Sequence, residues 1–404
     1  MKRLVYILLL LLLTTPCLRA QRKELAQARS YLKSGNNLDK AEKTVADLLA
    51  RDSVCRTKAK VHMLLYQIVK KQYDKGNEKL YLKEKYDTAA LFDLTKRMFT
   101  VLERFDSIDA MPDRHGSARP KYRRRNAAEL AGYRPNLYNG GAYHVRKGKY
   151  DAAFSFYDMY IDCGRQPLFE GRDYTASDPR MTEAAYWAAY CGYRLDSAEM
   201  IMKHYDMALR DTSRLRQLLR FKAAACRKKG DTQGYVAALR EGFGRFPRYQ
   251  YFFPRLMDYY AGHNMLDSAL VVADRALAVD GKNMLFLMAK STVLLNMGRN
   301  EDCVETSDML IGINDSLPEP YFCAATAYLN MALDAENGGG PSKKVKDRIR
   351  ELYTKACPYM EKYRALAPGE KDKWAPALYR IYLNLNMGRK FEEMDRLLQE
   401  KNIP

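Results

Sequence analysis

Histidine is scarce. The 404 residues hold five, at positions 62, 115, 144, 204 and 263, and none is paired at the spacing of a metal centre. HExxH is missing, as are GxSxG, the phosphate loop GxxxxGKS/T and a GxGxxG after a strand. The triple glycine at 338–340 has no strand before it and reads as a linker. Asp106, Asp109 and Asp113 lack the glycine and terminal glutamate of a calcium loop. These absences exclude the recognisable hydrolase, nucleotide-binding and metalloprotease sites. No catalytic activity, cofactor or metal is expected. Cysteine is sparse too, eight in all with no CxxC, which excludes a disulfide framework or a thioredoxin-like motif. Acidic residues are outnumbered, 49 against 68 Lys and Arg, for a net charge of +19, so a polyanionic partner must be considered. Long apolar runs are missing except at the start. Leu4 to Leu13 is ten residues, well short of the ~20 that cross a bilayer as a helix.

That run is the core of a secretory signal over residues 1–20. Lys2 and Arg3 precede it, Pro16 breaks it, and cleavage after Ala20 would leave Gln21 first. The rival is a lipoprotein signal using Cys17, against which Pro16 argues. The mature chain is expected to be exported, in the periplasm or associated with the envelope, with no transmembrane segment. Seven cysteines would remain, an odd number; Cys226 and Cys303 fall where cysteine serves as a small hydrophobe.

What the sequence does hold is a ruler. Gly230, Asn264 and Gly298 are each 34 residues apart. Leu219, Phe253 and Leu287 keep the same step, as do Ala223, Met257 and Ser291, then Cys226, Tyr260 and Leu294. A second set follows each ruler mark: Tyr235, Ala269 and Cys303, then Gly242, Ala276 and Leu310. Spacings of three and four make one apolar face on a helix. Their return at a fixed period means that one helix pair is rebuilt and stacked. The pattern resembles the tetratricopeptide repeat (TPR) family. Small residues stand where its paired helices cross, as Ala223, Ala269 and Ala276 would here. Pro247 ends a repeat in the family's manner, whereas Ser291, Cys303 and Ser307 depart from the usual small apolar residues. The resemblance implies an all-α, right-handed superhelical solenoid of antiparallel helix pairs that binds other proteins, and it implies no chemistry.

Along the chain, residues 21–106 read as irregular TPR-like pairs, with Gly76-Asn77 breaking a helix that starts near Val54. Residues 107–135 hold Pro112, Gly116, Pro120 and Pro135 and read as a basic loop or linker, with a short helix near Asn126. Residues 136–404 read as the solenoid proper, with insertions near 162–180 and 337–355 and a C-terminal capping pair around Gly388. Asp196-Ser197 and Asp267-Ser268 are placed to cap second helices.

With no chemistry in view, function must lie on a surface. In the TPR family the groove is lined mainly by first-helix residues. Carried over position by position, this picks Tyr186, Tyr190 and Arg194, then Arg220, Arg227 and Lys228. It continues with Tyr251 and Asp258, Thr292 and Asn296, Thr326 and Asn330, and finally Tyr382 and Asn386. Asparagine there would hydrogen-bond a peptide backbone, and Arg or Lys would clamp a carboxylate. The expected function is a scaffold that binds a protein or peptide in the bacterial cell envelope. The alternative is a polyanion or membrane-surface binder acting through Arg114, Arg119, Lys121, Arg123, Arg124 and Arg125, which interleave with Tyr122. For an exported chain, anionic lipid headgroups or acidic envelope polymers are better candidates than nucleic acid.

Overall fold

The computed structural model describes residues 21–112, 119–338 and 342–399. The signal, its cleavage point and Cys17, together with Arg114 and the Gly339–Pro341 part of the linker, lie outside the described residues. The described chain is helical throughout and holds no strand. It divides into two compact units, the first ending at Tyr235 and the second starting at Val236, so the boundary falls inside one helix.

In the first unit α1 (21–34) is followed by α2 (Leu38–Arg51), the single turn α3 (Ser53–Arg56), and the long helices α4 (Ala59–Tyr81) and α5 (Thr88–Asp109). Next come α6 (Arg123–Arg146), α7 (Tyr150–Asp162), the short α8 (Tyr174–Ser177) and α9 (Arg180–Arg194). The unit continues with α10 (Ala198–Lys203), α11 (Tyr205–Ala208), α12 (Leu215–Lys229) and the start of α13 (Thr232–Arg245). The second unit holds the rest of α13, then α14 (Phe252–Gly262), α15 (Leu266–Val279), α16 (Met284–Asn296), α17 (Asn300–Ile313) and α18 (Pro318–Gly338). It ends with α19 (Lys343–Leu366), α20 (Lys371–Asn384) and α21 (Gly388–Gln399). Within each unit consecutive helices pack as antiparallel hairpins against their sequence neighbours, the TPR-like arrangement.

The ruler has a backbone cause. Gly148, Asp196, Gly230, Asn264, Gly298 and Asn386 all have positive φ, from 52° to 72°. At each, the next amide reaches back to a carbonyl one turn inside the first helix. Asp231 N donates to Cys226 O at 2.9 Å, Met265 N to Tyr260 O at 2.8 Å, and Met387 N to Tyr382 O at 2.9 Å. This is the Schellman closure, which satisfies carbonyls orphaned at a helix end and fixes the angle at which the next helix leaves.

The closure corrects the register of the last pair. Asn386 is a turn residue, equivalent to Gly298, and Tyr382 is equivalent to Leu294. Tyr382 is accordingly 2% exposed, with its hydroxyl bonded to Glu361 at 2.9 Å, and lines no groove. Arg380 and Asn384 hold the positions expected of Tyr382 and Asn386.

Three other expectations change. Gly76-Asn77 does not break α4, which runs on to Tyr81. A Cβ at Gly76 would lie 2.6 Å from the Tyr86 ring, so glycine is there for close packing. The loop expected over 107–135 ends at Tyr122, and α6 runs through Pro135. Asn126, Ala127, Leu130, Arg134 and Leu137, all buried, hold that helix despite the missing amide. Ser197 does cap α10, accepting from Met200 N at 3.4 Å, but α15 starts at Leu266, before Asp267-Ser268.

The departures from family pattern resolve as a small polar core. Ser291, Cys303 and Ser307 are each 0% exposed, and the two serine hydroxyls bond each other at 2.7 Å. Paired in this way, they escape the cost of a buried, unsatisfied hydroxyl. The insertion near 337–355 lengthens both α18 and α19, so it extends a hairpin and adds no separate element.

Candidate functional site

Helix α9 sorts its residues by size. Ala184, Ala185, Ala188, Ala189, Cys191 and Gly192 are buried, which lets neighbouring helices approach closely. The aromatic residues lie on the other faces. The rings of Tyr186, Tyr190 and Tyr193 meet Phe221 of α12 at 5.9, 6.2 and 4.8 Å. Trp187 stands between Tyr186 and Tyr190, 5.4 and 5.5 Å away at 73° and 89°, in edge-to-face contact.

Guanidinium groups cover these rings. Arg194 lies 4.4 Å over Tyr150 and donates to the Tyr190 hydroxyl at 2.8 Å. Arg214 lies 4.4 Å over Tyr186 and pairs with Glu183 at 3.3 Å. Arg220 donates to the Tyr193 hydroxyl at 2.6 and 3.0 Å. Such stacking holds the cations in place. Among the described residues no carboxylate pairs with Arg194, whereas Arg214 is paired with Glu183 and, at 3.5 Å, with Asp211. Burial pushes the Tyr186 hydroxyl above its ordinary pKa, so it stays protonated as a donor. The result is a half-buried face of tyrosine, tryptophan and arginine, the residue types enriched where proteins bind proteins.

Of the groove residues expected from sequence, Tyr186, Tyr190, Arg194 and Arg220 meet on this face. Arg227 and Lys228 lie exposed at the end of α12, where Lys228 pairs with Asp196. Tyr150, Trp187, Tyr193 and Arg214 were missed. Tyr150 comes from a second helix and Arg214 from the turn before α12, and neither is reached by counting first-helix positions.

In the second unit, Tyr251 lies under the Arg255 guanidinium at 3.9 Å, and Asp258 is exposed. Thr292 and Asn296 on α16, and Thr326 and Asn330 on α18, form two four-residue pairs on adjacent helices. Thr292 bonds its own helix through Met288 O at 3.0 Å, and Asn330 donates to buried Asn300 at 3.4 Å. Half of that set is thus already satisfied internally.

The basic segment also changes meaning. Arg123 grips both oxygens of buried Asp106 at 2.9 to 3.2 Å and reaches Glu170 at 3.0 Å, so it anchors the start of α6 and is not offered to a polyanion. Arg119, Lys121, Arg124 and Arg125 are exposed.

Asp158, Asp162 and His204 place ligand atoms within 4.8 Å of one another. Lys203 lies 2.6 Å from Asp158 and 3.8 Å from Asp162, and so supplies the positive charge from within the chain. The seven described cysteines are free and buried. Burial pushes the Cys191 thiol up to about 12 and those of Cys323 and Cys357 up to about 11, leaving them poor nucleophiles at neutral pH. No helix among the described residues is long and apolar enough to cross a membrane.

No family model matches the chain, and no curated protein matches it. Solved structures do. The chain is similar to the C-terminal part of a TPR repeat-containing protein from Cytophaga hutchinsonii. Identity is 11%, the match covers 64% of this chain and 92% of that one, and the TM-score is 0.43. It is similar to a TPR repeats protein from Bacteroides fragilis at 14% identity, covering 65% and 98%, with a TM-score of 0.29. Yeast Tom70 matches at 10% identity, covering 95% and 96%, with a TM-score of 0.26.

Proposed function

We propose that this chain is a non-catalytic scaffold, exported to the bacterial cell envelope, that binds a protein or peptide partner through the aromatic–arginine face of α9 and α12. The supporting observation is the cluster of Tyr150, Tyr186, Trp187, Tyr190, Arg194 and Arg214 on one half-buried surface. Rigid aromatic rings supply contact area at low entropic cost, and the ring-stacked Arg194 guanidinium offers directed donors to a carboxylate or backbone carbonyl. The charged and apolar leader over residues 1–20 supports export.

The test is affinity capture from envelope extract with the mature chain as bait, followed by mass spectrometry. Trp187→Ala/Arg194→Ala should lose a protein that the wild type and Arg124→Ala/Arg125→Ala both retain. Recovery of the same proteins by all three baits would refute the assignment of the face. Loss with Arg124→Ala/Arg125→Ala alone would favour the polyanion reading.

A further inference from the structure

The first unit holds a second feature, separate from the aromatic face. A cavity of about 410 Å³ opens between α2, α4 and α5. That lies within the ~300–1,000 Å³ range of small-molecule sites, at its small end. Leu49, Leu65, Val101 and Ile108 give it apolar walls. Its cationic groups are Arg56 and Arg104, and none of its eleven lining residues is acidic.

Arg56 is held in place. Its guanidinium donates to the carbonyls of Leu49 and Ala50, at 3.2 and 2.5 Å, at the end of α2. The His62 ring nitrogen meets the Arg56 carbonyl at 2.7 Å, and that ring stacks on Phe105 at 5.5 Å, which fixes the turn carrying Arg56. Carbonyl oxygens orient the guanidinium without cancelling its charge. Among the described residues no carboxylate pairs with Arg56 or Arg104. An apolar cleft with two guanidinium groups that no carboxylate pairs with is complementary to one kind of small molecule: an apolar body with a single anionic head.

We propose that this cavity binds an amphiphilic monocarboxylate, an acyl chain of roughly six to twelve carbons by the size of the space. The chain lies against Leu49, Leu65, Val101 and Ile108, and the carboxylate faces Arg56 and Arg104. Burying the chain removes apolar surface from water, while the guanidinium groups select the charge of the head.

The experiment is calorimetric titration of the mature full chain with four probes below their micelle concentrations: decanoate, decanol, decylammonium and acetate. Decanoate should saturate one site. Decanol, lacking the charge, and acetate, lacking the body, should each bind at least tenfold more weakly, and decylammonium should bind weakest. Arg104→Gln should weaken decanoate at least tenfold while leaving decanol unchanged. Ala50 lines the cavity at an exposed position, so Ala50→Trp obstructs entry with little risk to folding and should abolish decanoate binding. Absence of saturable decanoate binding, decylammonium binding as tight as decanoate, or insensitivity to both substitutions would each overturn the proposal.

Discussion

Gly192 tests whether close helix crossing or helix propensity governs this fold. It lies near the end of α9, where α10 passes over it. A Cβ built there would lie 2.5 Å from Ile201 N and 2.7 Å from Met200 C, both backbone atoms. Backbone cannot rotate aside as a side chain can, so α10 must shift. Overpacking costs about 1–3 kcal/mol, and a backbone clash belongs at the upper end. Alanine regains about 1 kcal/mol of helix propensity over glycine. The net expectation for Gly192→Ala is a loss of roughly 2 kcal/mol. Gly132 is the control. It is exposed within α6, and a Cβ there meets nothing within 4 Å. Gly132→Ala should therefore stabilise by about 1 kcal/mol. Native-state hydrogen exchange resolves the two, because it reports stability helix by helix in a chain whose unfolding need not be two-state. Protection in α9 and α10 should fall about thirtyfold in Gly192→Ala, at 1.36 kcal/mol per factor of ten. Unchanged or higher protection there, with Gly132→Ala behaving as stated, would refute the crossing argument.

Four further outcomes are expected. At the turns, Gly298→Ala should cost about 1 kcal/mol because φ is +72°, while Asn264→Gly should be neutral or mildly stabilising; denaturant midpoints will show whether the signs differ. Arg134 is stacked 3.7 and 4.0 Å over Tyr160 and Tyr174 and paired with Asp178 inside the protein. Arg134→Met should destabilise by about 3–5 kcal/mol and expose residues 163–180 to limited proteolysis, and an unchanged cleavage map would count against this clamp. Burial first, then the Asp162 charge, pushes the Glu103 carboxyl up to about 7, so the folded chain holds a proton that the unfolded chain releases near pH 4.3. Stability from this group is present at low pH and is lost as pH rises towards 7. Glu103→Gln should thus raise the melting temperature at pH 8 and leave it nearly unchanged near pH 4. N-terminal sequencing of chain recovered from the envelope should begin at Gln21, and an intact Met1 would exclude cleavage.

The fold was readable because its period is written in single residues. A positive-φ position every 34 residues selects Gly, Asn or Asp, and the apolar residues of each hairpin recur in step with it. The same logic failed where a residue type has two uses. Gly76 looks like a breaker, but its missing side chain makes room for the Tyr86 ring. Pro135 looks like a terminator, but tertiary burial on both sides of it holds the helix together. Tyr382 looks like a groove residue until the Asn386 turn sets the register and moves it into the core.

The candidate site was half readable. Tyr186, Tyr190, Arg194 and Arg220 follow from position in the repeat, because helical spacing is local. Tyr150, Trp187, Tyr193 and Arg214 join them only through packing between helices. The cavity between α2, α4 and α5 left no trace in the sequence at all, since its walls come from segments with no common spacing.

The amino-acid sequence by itself determined the helix pairs, their period and their turns, since these depend on contacts a few residues apart. Tertiary structure alone decided which arginines are spent on internal carboxylates, as Arg123 and Arg134 are, and which have no carboxylate partner among the described residues, as Arg56 and Arg194 do not. That distinction depends on what lies across the space between helices, and one-dimensional spacing does not encode it.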